Sequence, residues 1–235
     1  MATFTAGDLT LPPVAVVRIL GIDPGTRVVG YGCLELTADD PMTCARPDAP
    51  MALRGSNVVS LGAAAVTDVR LVCAGVLRLG VEKTALSRRL LALAQQFRDL
   101  LETFCPDEVA LEEAFYGKSV QAALRIGEAR GVVLAESARA GADVHQYAPA
   151  RVKRCVTGRG AAAKPSVAAM LAQLLPQAAA MLPRSLPADA TDAVAVAWTR
   201  LEERRSPLLR GVAGGVADVV GLARPRGGSQ RDAGG

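Results

Sequence analysis

Residues Val14 to Ile22 read VAVVRILGI, a mostly apolar, β-branched run that stops at Asp23-Pro24-Gly25. A run of that length closed by turn residues predicts a buried strand. Asp-Pro-Gly forms a turn by itself, so Asp23 alone reads no better as a site than as a turn former. Buried strands need cover on both faces, and the material for it is unusual: half of the 235 residues are hydrophobic but only 3% are aromatic. Ala, Val and Leu must therefore build the core, which points to helices packed on a sheet. The length suits one large domain, or a domain with tails, and is too short for a duplicated two-domain kinase or ATPase.

The pattern downstream alternates. Val28 to Leu36 and Val69 to Leu79 read as strands. Leu86, Leu90, Leu93, Phe97, Leu100 and Phe104 recur at helical spacing and predict a helix over 83–104, ended by Pro106. Glu108 to Ala114 is a short strand, 118–139 a long helix with a small-residue face at Ala123, Gly127 and Gly131, and Val144 to Tyr147 a further strand. Pro165 stands at a helix start, and Asp189 opens a last helix to about residue 204. Strands followed by strands alternating with helices imply an α/β domain with a mixed sheet. Three segments fall outside that pattern: a flexible leader over 1–17, an enlarged loop or hairpin insertion over 37–68, and a Gly/Arg-rich, disordered tail over 205–235, leaving 18–204 as the domain.

Several classes of function drop out. No uninterrupted apolar run reaches the roughly 18–20 residues of a membrane helix, so no membrane is expected. The leader lacks a basic n-region, which argues against a secretory signal and for a cytoplasmic protein. Five scattered cysteines without a Cys-x-x-Cys pair, and one histidine, His145, offer neither a zinc site nor a disulfide framework. The cysteines read as small buried hydrophobes, and His145 as structural. Hydrolytic chemistry here must rest on carboxylates and a hard metal.

The acids are placed for it. Asp23 ends a buried strand, where sites form in α/β sheets. Glu112 and Glu113 end EVALEEA, and strand alternation puts them on opposite faces, so at most one can join Asp23. Asp189 and Asp192 share a helix face, although that spacing also suits simple capping. Converging carboxylates repel one another and raise their own pKa values, and divalent cations relieve this. Two such ions can activate a water and stabilise a leaving oxygen in phosphodiester hydrolysis.

A polyanion surface is also legible. From Lys118 to Lys164 nine basic residues face three acidic ones, a net +6 against +4 for the whole chain. Lys118, Arg151, Lys153, Arg154, Arg159 and Lys164 are the candidate DNA contacts, the last five in what reads as a Gly-containing loop. Phe115 and Tyr116 follow the acidic strand, where an aromatic could stack on a base.

Taken in order, these segments resemble the RuvC family of Holliday-junction resolvases. ILGIDPGTRVVGYG (19–32), VALEEAFYGKS (109–119), ALRIGEARG (123–131), ARVKRCVTGRGAAAK (150–164) and PADATDAVAVA (187–197) are similar to its motifs. The resemblance implies an RNase H-like fold, a mixed central sheet flanked by helices on both faces, and a homodimer formed near the 118–139 helix. It implies Mg²⁺- or Mn²⁺-dependent paired nicking of four-way junction DNA, with two ions per site. It maps the catalytic and metal-binding acids onto Asp23, Glu112, Asp189 and Asp192, with Asp23 bridging the ions. It maps the nearby bases onto Lys153 and Lys164 and the junction-probing aromatic onto Phe115. It also implies a branch-migration motor of the RuvA and RuvB type as partner. Rival readings are an RNase H-like nuclease of broader branched-DNA specificity and a junction-binding module without catalysis.

Overall fold

The computed structural model describes residues 15–38, 66–113, 120–178 and 186–205. Five strands form one sheet in the order β3-β2-β1-β4-β5. β1 (Ala15–Asp23), β2 (Val28–Ala38) and β3 (Val66–Arg78) make an antiparallel meander. β4 (Glu108–Glu112) and β5 (Asp143–Tyr147) add in parallel on the other side of β1. The expected leader and insertion are thus trimmed at their edges. Residues 15–17 belong to β1, residues 37–38 to β2 and residues 66–68 to β3, because strand pairing continues into them.

Helices cover both faces. α1 (Leu86–Phe104) and α2 (Val120–Arg139) lie on one side, where Leu93, Phe97, Leu101, Ala129 and Val133 pack on Leu20, Ile22, Val109 and Leu111. α3 (Pro149–Thr157), α4 (Lys164–Leu174) and α5 (Ala188–Arg205) lie on the other, with Val152, Val167, Leu171, Trp198 and Leu201 over Ile19, Leu34 and Ala110. β1 and β4 sit between these layers, and this is why both read as nearly continuous apolar runs.

One expectation is corrected. The basic stretch from Arg151 is not a loop but begins within α3. Pro149 at the first turn presets the helical φ, Val152 and Val156 give the segment a buried face, and Gly158 closes it at φ 76°. Charges on the exposed face masked that period. α1 likewise starts at Leu86 rather than residue 83. Lys164 rather than Pro165 is the first residue of α4.

α5 is the central helix of its face, and glycine lets it in. A Cβ at Gly21 of β1 would lie 2.1 Å from the Ala193 carbonyl oxygen, and one at Gly30 of β2 only 1.9 Å from that of Asp189. Backbone therefore lies directly against backbone. The Ala-rich sequence of α5, with Ala190, Ala193, Ala195 and Ala197 buried, is the other half of that close approach.

Candidate active site

The parallel strands β1 and β4 end side by side, with Ile22 opposite Leu111 in register. Asp23 and Glu112 are the next residue of each strand, so their side chains meet at the C-terminal edge of the sheet. They share a hydrogen bond. Alternation decides between the paired glutamates: Glu113 turns outward and is exposed, while its backbone N–H donates to the Tyr147 carbonyl at 2.8 Å. The close seating of α5 on Gly30 brings Asp189 and Asp192 from its first turns toward the same place.

Electrostatics follow from that crowding. Burial pushes Asp23 up to about 6; the charges of Asp192 and Asp189 add to the rise, while the hydrogen bond with Glu112 opposes it. Burial pushes Glu112 up to about 8, assisted by the charge of Asp23. At neutral pH Glu112 thus holds a proton and donates it to the Asp23 carboxylate. Lys164, the first residue of α4, forms an ion pair with Asp192, and this contact raises its own pKa. Its side chain is 62% exposed against 20% for Asp192, so the ammonium stands at the mouth of the acidic cluster.

The donor set tests well against a hard divalent cation. All four candidates are carboxylates, and the cluster retains a proton on Glu112 and an ion pair with Lys164 to balance its charge. Among the described residues no three Asp, Glu, His or Cys side chains already stand in ligating geometry about one point. The cluster is a group of repelling carboxylates, held by one shared proton and one lysine.

The other sequence candidates divide. Lys153 is half-buried on α3, and Arg154 and Arg159 are exposed near its end. Arg151 has a different environment. It donates to Glu203 at 2.7 Å and its guanidinium lies 5.2 Å over the Tyr147 ring, a fold-stabilising contact at the base of α5. Phe115, Tyr116 and Lys118 lie outside the described residues. His145, on β5 opposite Ala110, is half-buried, and burial followed by the Arg200 charge lowers its pKa, in keeping with a structural role.

Two features escaped the sequence. Arg89 occupies the buried face of α1, 7% exposed, and donates to the Thr26 carbonyl at 2.8 Å. It pins the turn that follows Asp23, which itself needs glycine: a Cβ at Gly25 would lie 2.0 Å from the Val28 carbonyl oxygen. An arginine inside an apolar stripe was the available signal. At the opposite end of α5, buried Glu108 receives Arg200 at 2.7 and 3.0 Å and also Arg204. Buried Glu203 accepts from Tyr147, Arg151 and Arg200. These contacts fix α5 along β4 and β5 and thereby set where its acids stand.

The sheet order and the helices on both faces define an RNase H-like fold, with acids clustered at the ends of β1 and β4 and the start of α5. The particular family follows from comparison. The family model for crossover junction endodeoxyribonuclease RuvC matches residues 51–200. A crossover junction endodeoxyribonuclease RuvC from Nitrobacter hamburgensis is 36% identical over 194 residues, covering 83% of this chain and 94% of that one. One from Halorhodospira halophila is 36% identical over 199 residues, covering 85% and 98%. The Thermus thermophilus RuvC structure in complex with a Holliday junction substrate superposes with a TM-score of 0.61 at 25% identity, over 84% of this chain and 98% of that one. The yeast mitochondrial resolvase Ydc2 shares the fold, with a TM-score of 0.54 at 16% identity over 86% of this chain and 85% of the other. The chain belongs to the RuvC family of crossover junction endodeoxyribonucleases. The family match spans Glu112, Asp189 and Asp192, while Asp23 lies before it and is tied to them by geometry.

Proposed function

We propose that this chain resolves four-way DNA junctions by nicking two opposed strands, leaving 5′-phosphate and 3′-hydroxyl ends. The observation that carries the reading is the convergence of Asp23, Glu112, Asp189 and Asp192, with Lys164 at the rim, in a chain of this family. The four carboxylates would hold Mg²⁺ or Mn²⁺, two ions per site, and ions held there would supply a nucleophilic water and stabilise charge on the leaving oxygen.

The chain itself does the rest. Glu112 and Asp23 keep one proton between them in the resting site. Lys164 neutralises Asp192 in the resting site, and its exposed ammonium is free to turn to a phosphate oxygen of the DNA. Lys153, Arg154 and Arg159, on α3 and just after it, add positive charge for the DNA backbone, and Arg151 also holds α3 to α5. Phe115 is proposed to stack on a base at the junction centre, with Tyr116 and Lys118 beside it in sequence.

Paired nicks need two sites. The face of α2 that carries Val120, Leu124, Gly127 and Gly131 supports a homodimer there. Val120 is 70% and Leu124 64% exposed, and a Cβ at either glycine would meet nothing within 4 Å. A two-fold axis through this face would match the pseudo-symmetry of a four-way junction. Operation in the cytoplasm beside a motor of the RuvA and RuvB type completes the proposal. Among the described residues no helix is long and apolar enough to cross a membrane.

The test is cleavage of a synthetic four-way junction with a mobile core, in Mg²⁺ and in Mn²⁺, beside linear duplex and splayed-arm DNA. Ligatable nicks paired across the junction alone support the proposal. Cutting of all branched forms alike leaves a broader nuclease, and tight binding without cutting in either metal leaves a binding module.

A further inference from the structure

Two of the cysteines that read as inert in the sequence face one another in the sheet. Cys33 of β2 and Cys73 of β3 are direct register partners on neighbouring antiparallel strands. Such partners have Cα atoms about 4.5–5.5 Å apart, inside the roughly 4.4–6.8 Å span that a disulfide bridges. Both thiols are free, and they are hydrogen-bonded to each other. The two positions differ in access. Cys33 is fully buried under α1, whereas Cys73 is half-buried on β3, which is the edge strand of the sheet. On the same face, the Tyr31 ring lies across Gly75, whose missing Cβ would come 2.6 Å from the phenol oxygen.

We propose that Cys33 and Cys73 form a peroxide-oxidisable dithiol site, with Cys73 as the attacking thiol and Cys33 as the resolving one. The oxidant is hydrogen peroxide. The Cys73 sulfur attacks one oxygen: an S–O bond forms, the O–O bond breaks, and the departing hydroxide takes the thiol proton and leaves as water. The Cys33 sulfur then attacks the sulfenic sulfur: an S–S bond forms, the S–O bond breaks, and that hydroxide leaves as a second water with the Cys33 proton. Two thiols are oxidised and one peroxide is reduced to two waters. The hydrogen bond from Cys33 favours the Cys73 thiolate, the form that reacts. The product would staple β2 to β3 and close a loop of about forty residues, which raises Tm by roughly 5–10 °C.

The experiment uses the full chain with all five cysteines. After peroxide treatment, remaining thiols are alkylated under denaturing conditions and the digest is mapped by mass spectrometry. A Cys33–Cys73 linked peptide that dithiothreitol dissolves, two thiols lost per chain and a raised Tm are expected. Cys33→Ser should instead accumulate a Cys73 sulfenic acid that dimedone traps. Full retention of free Cys33 and Cys73, or disulfides formed only through the other cysteines, would overturn the proposal. The wild-type map alone decides it, whatever the folding of the variant.

Discussion

Replacing Gly30 with alanine perturbs the site without changing the identity of any of its acids. The new Cβ would stand 1.9 Å from the Asp189 carbonyl oxygen and 2.3 Å from its carbonyl carbon. Real Cβ contacts essentially never fall below 3.0 Å, so the start of α5 must retreat by about 1.1 Å or more, and what blocks it is backbone rather than a flexible side chain. That displacement carries Asp189 and Asp192 away from Asp23 and Glu112. Misplacement on this scale costs about a hundredfold in rate, and overpacking costs about 1–3 kcal/mol of stability. The assay is single-turnover nicking of a four-way junction, with urea unfolding and junction binding measured on the same protein. Nicking falls about a hundredfold while binding holds. A variant that nicks within threefold of wild type, at unchanged stability, would refute the claim that the seating of α5 on β2 sets the geometry of the acids.

Further outcomes follow from the same contacts. Glu108→Gln removes the buried carboxylate that Arg200 and Arg204 share and should lower stability by about 3–5 kcal/mol in urea unfolding; a loss below about 1 kcal/mol would contradict the role given to that network. Hydrogen bonds from Arg98, then Arg139, hold Glu136 down at about 2, from an ordinary 4.5. Its contribution is therefore complete above pH 4.5 and fades as the pH falls through about 2. The stability gap between wild type and Glu136→Gln should accordingly close across that window, and a gap constant with pH would show the pairing to be idle. Gly127→Arg puts a charge on the open face of α2 and should turn a dimer into a monomer in sedimentation equilibrium, with far-UV circular dichroism unchanged; a persisting dimer would move the interface elsewhere.

What the sequence made legible was periodic, and what it hid was long-range. β1 and β4 stood out because both faces are buried, and strand alternation allowed only one of Glu112 and Glu113 to join Asp23, the choice of Glu112 coming from the resemblance. Motif order carried the resemblance that placed Asp189 and Asp192 with Asp23, which spacing alone left equivalent to a helix cap. α3 was lost among Gly158, Gly160 and four charges, because its buried stripe is only Val152 and Val156. The pairing of Arg151 with Glu203 was not legible because charge is local information, while the partner lies 52 residues away. Arg89 and the Cys33–Cys73 pair depend in the same way on which element lies opposite, which no single segment records.

The most direct test of the central claim is the junction assay run on wild type and on Asp23→Asn, with Mg²⁺ and with Mn²⁺, scoring paired nicks and their sealing by ligase. Wild type should give ligatable nicks on opposed strands with either metal. Asp23→Asn should give none and should bind the junction as tightly as before. Equal cutting by both proteins would contradict the assignment of the chemistry to the carboxylates at the end of β1 and β4.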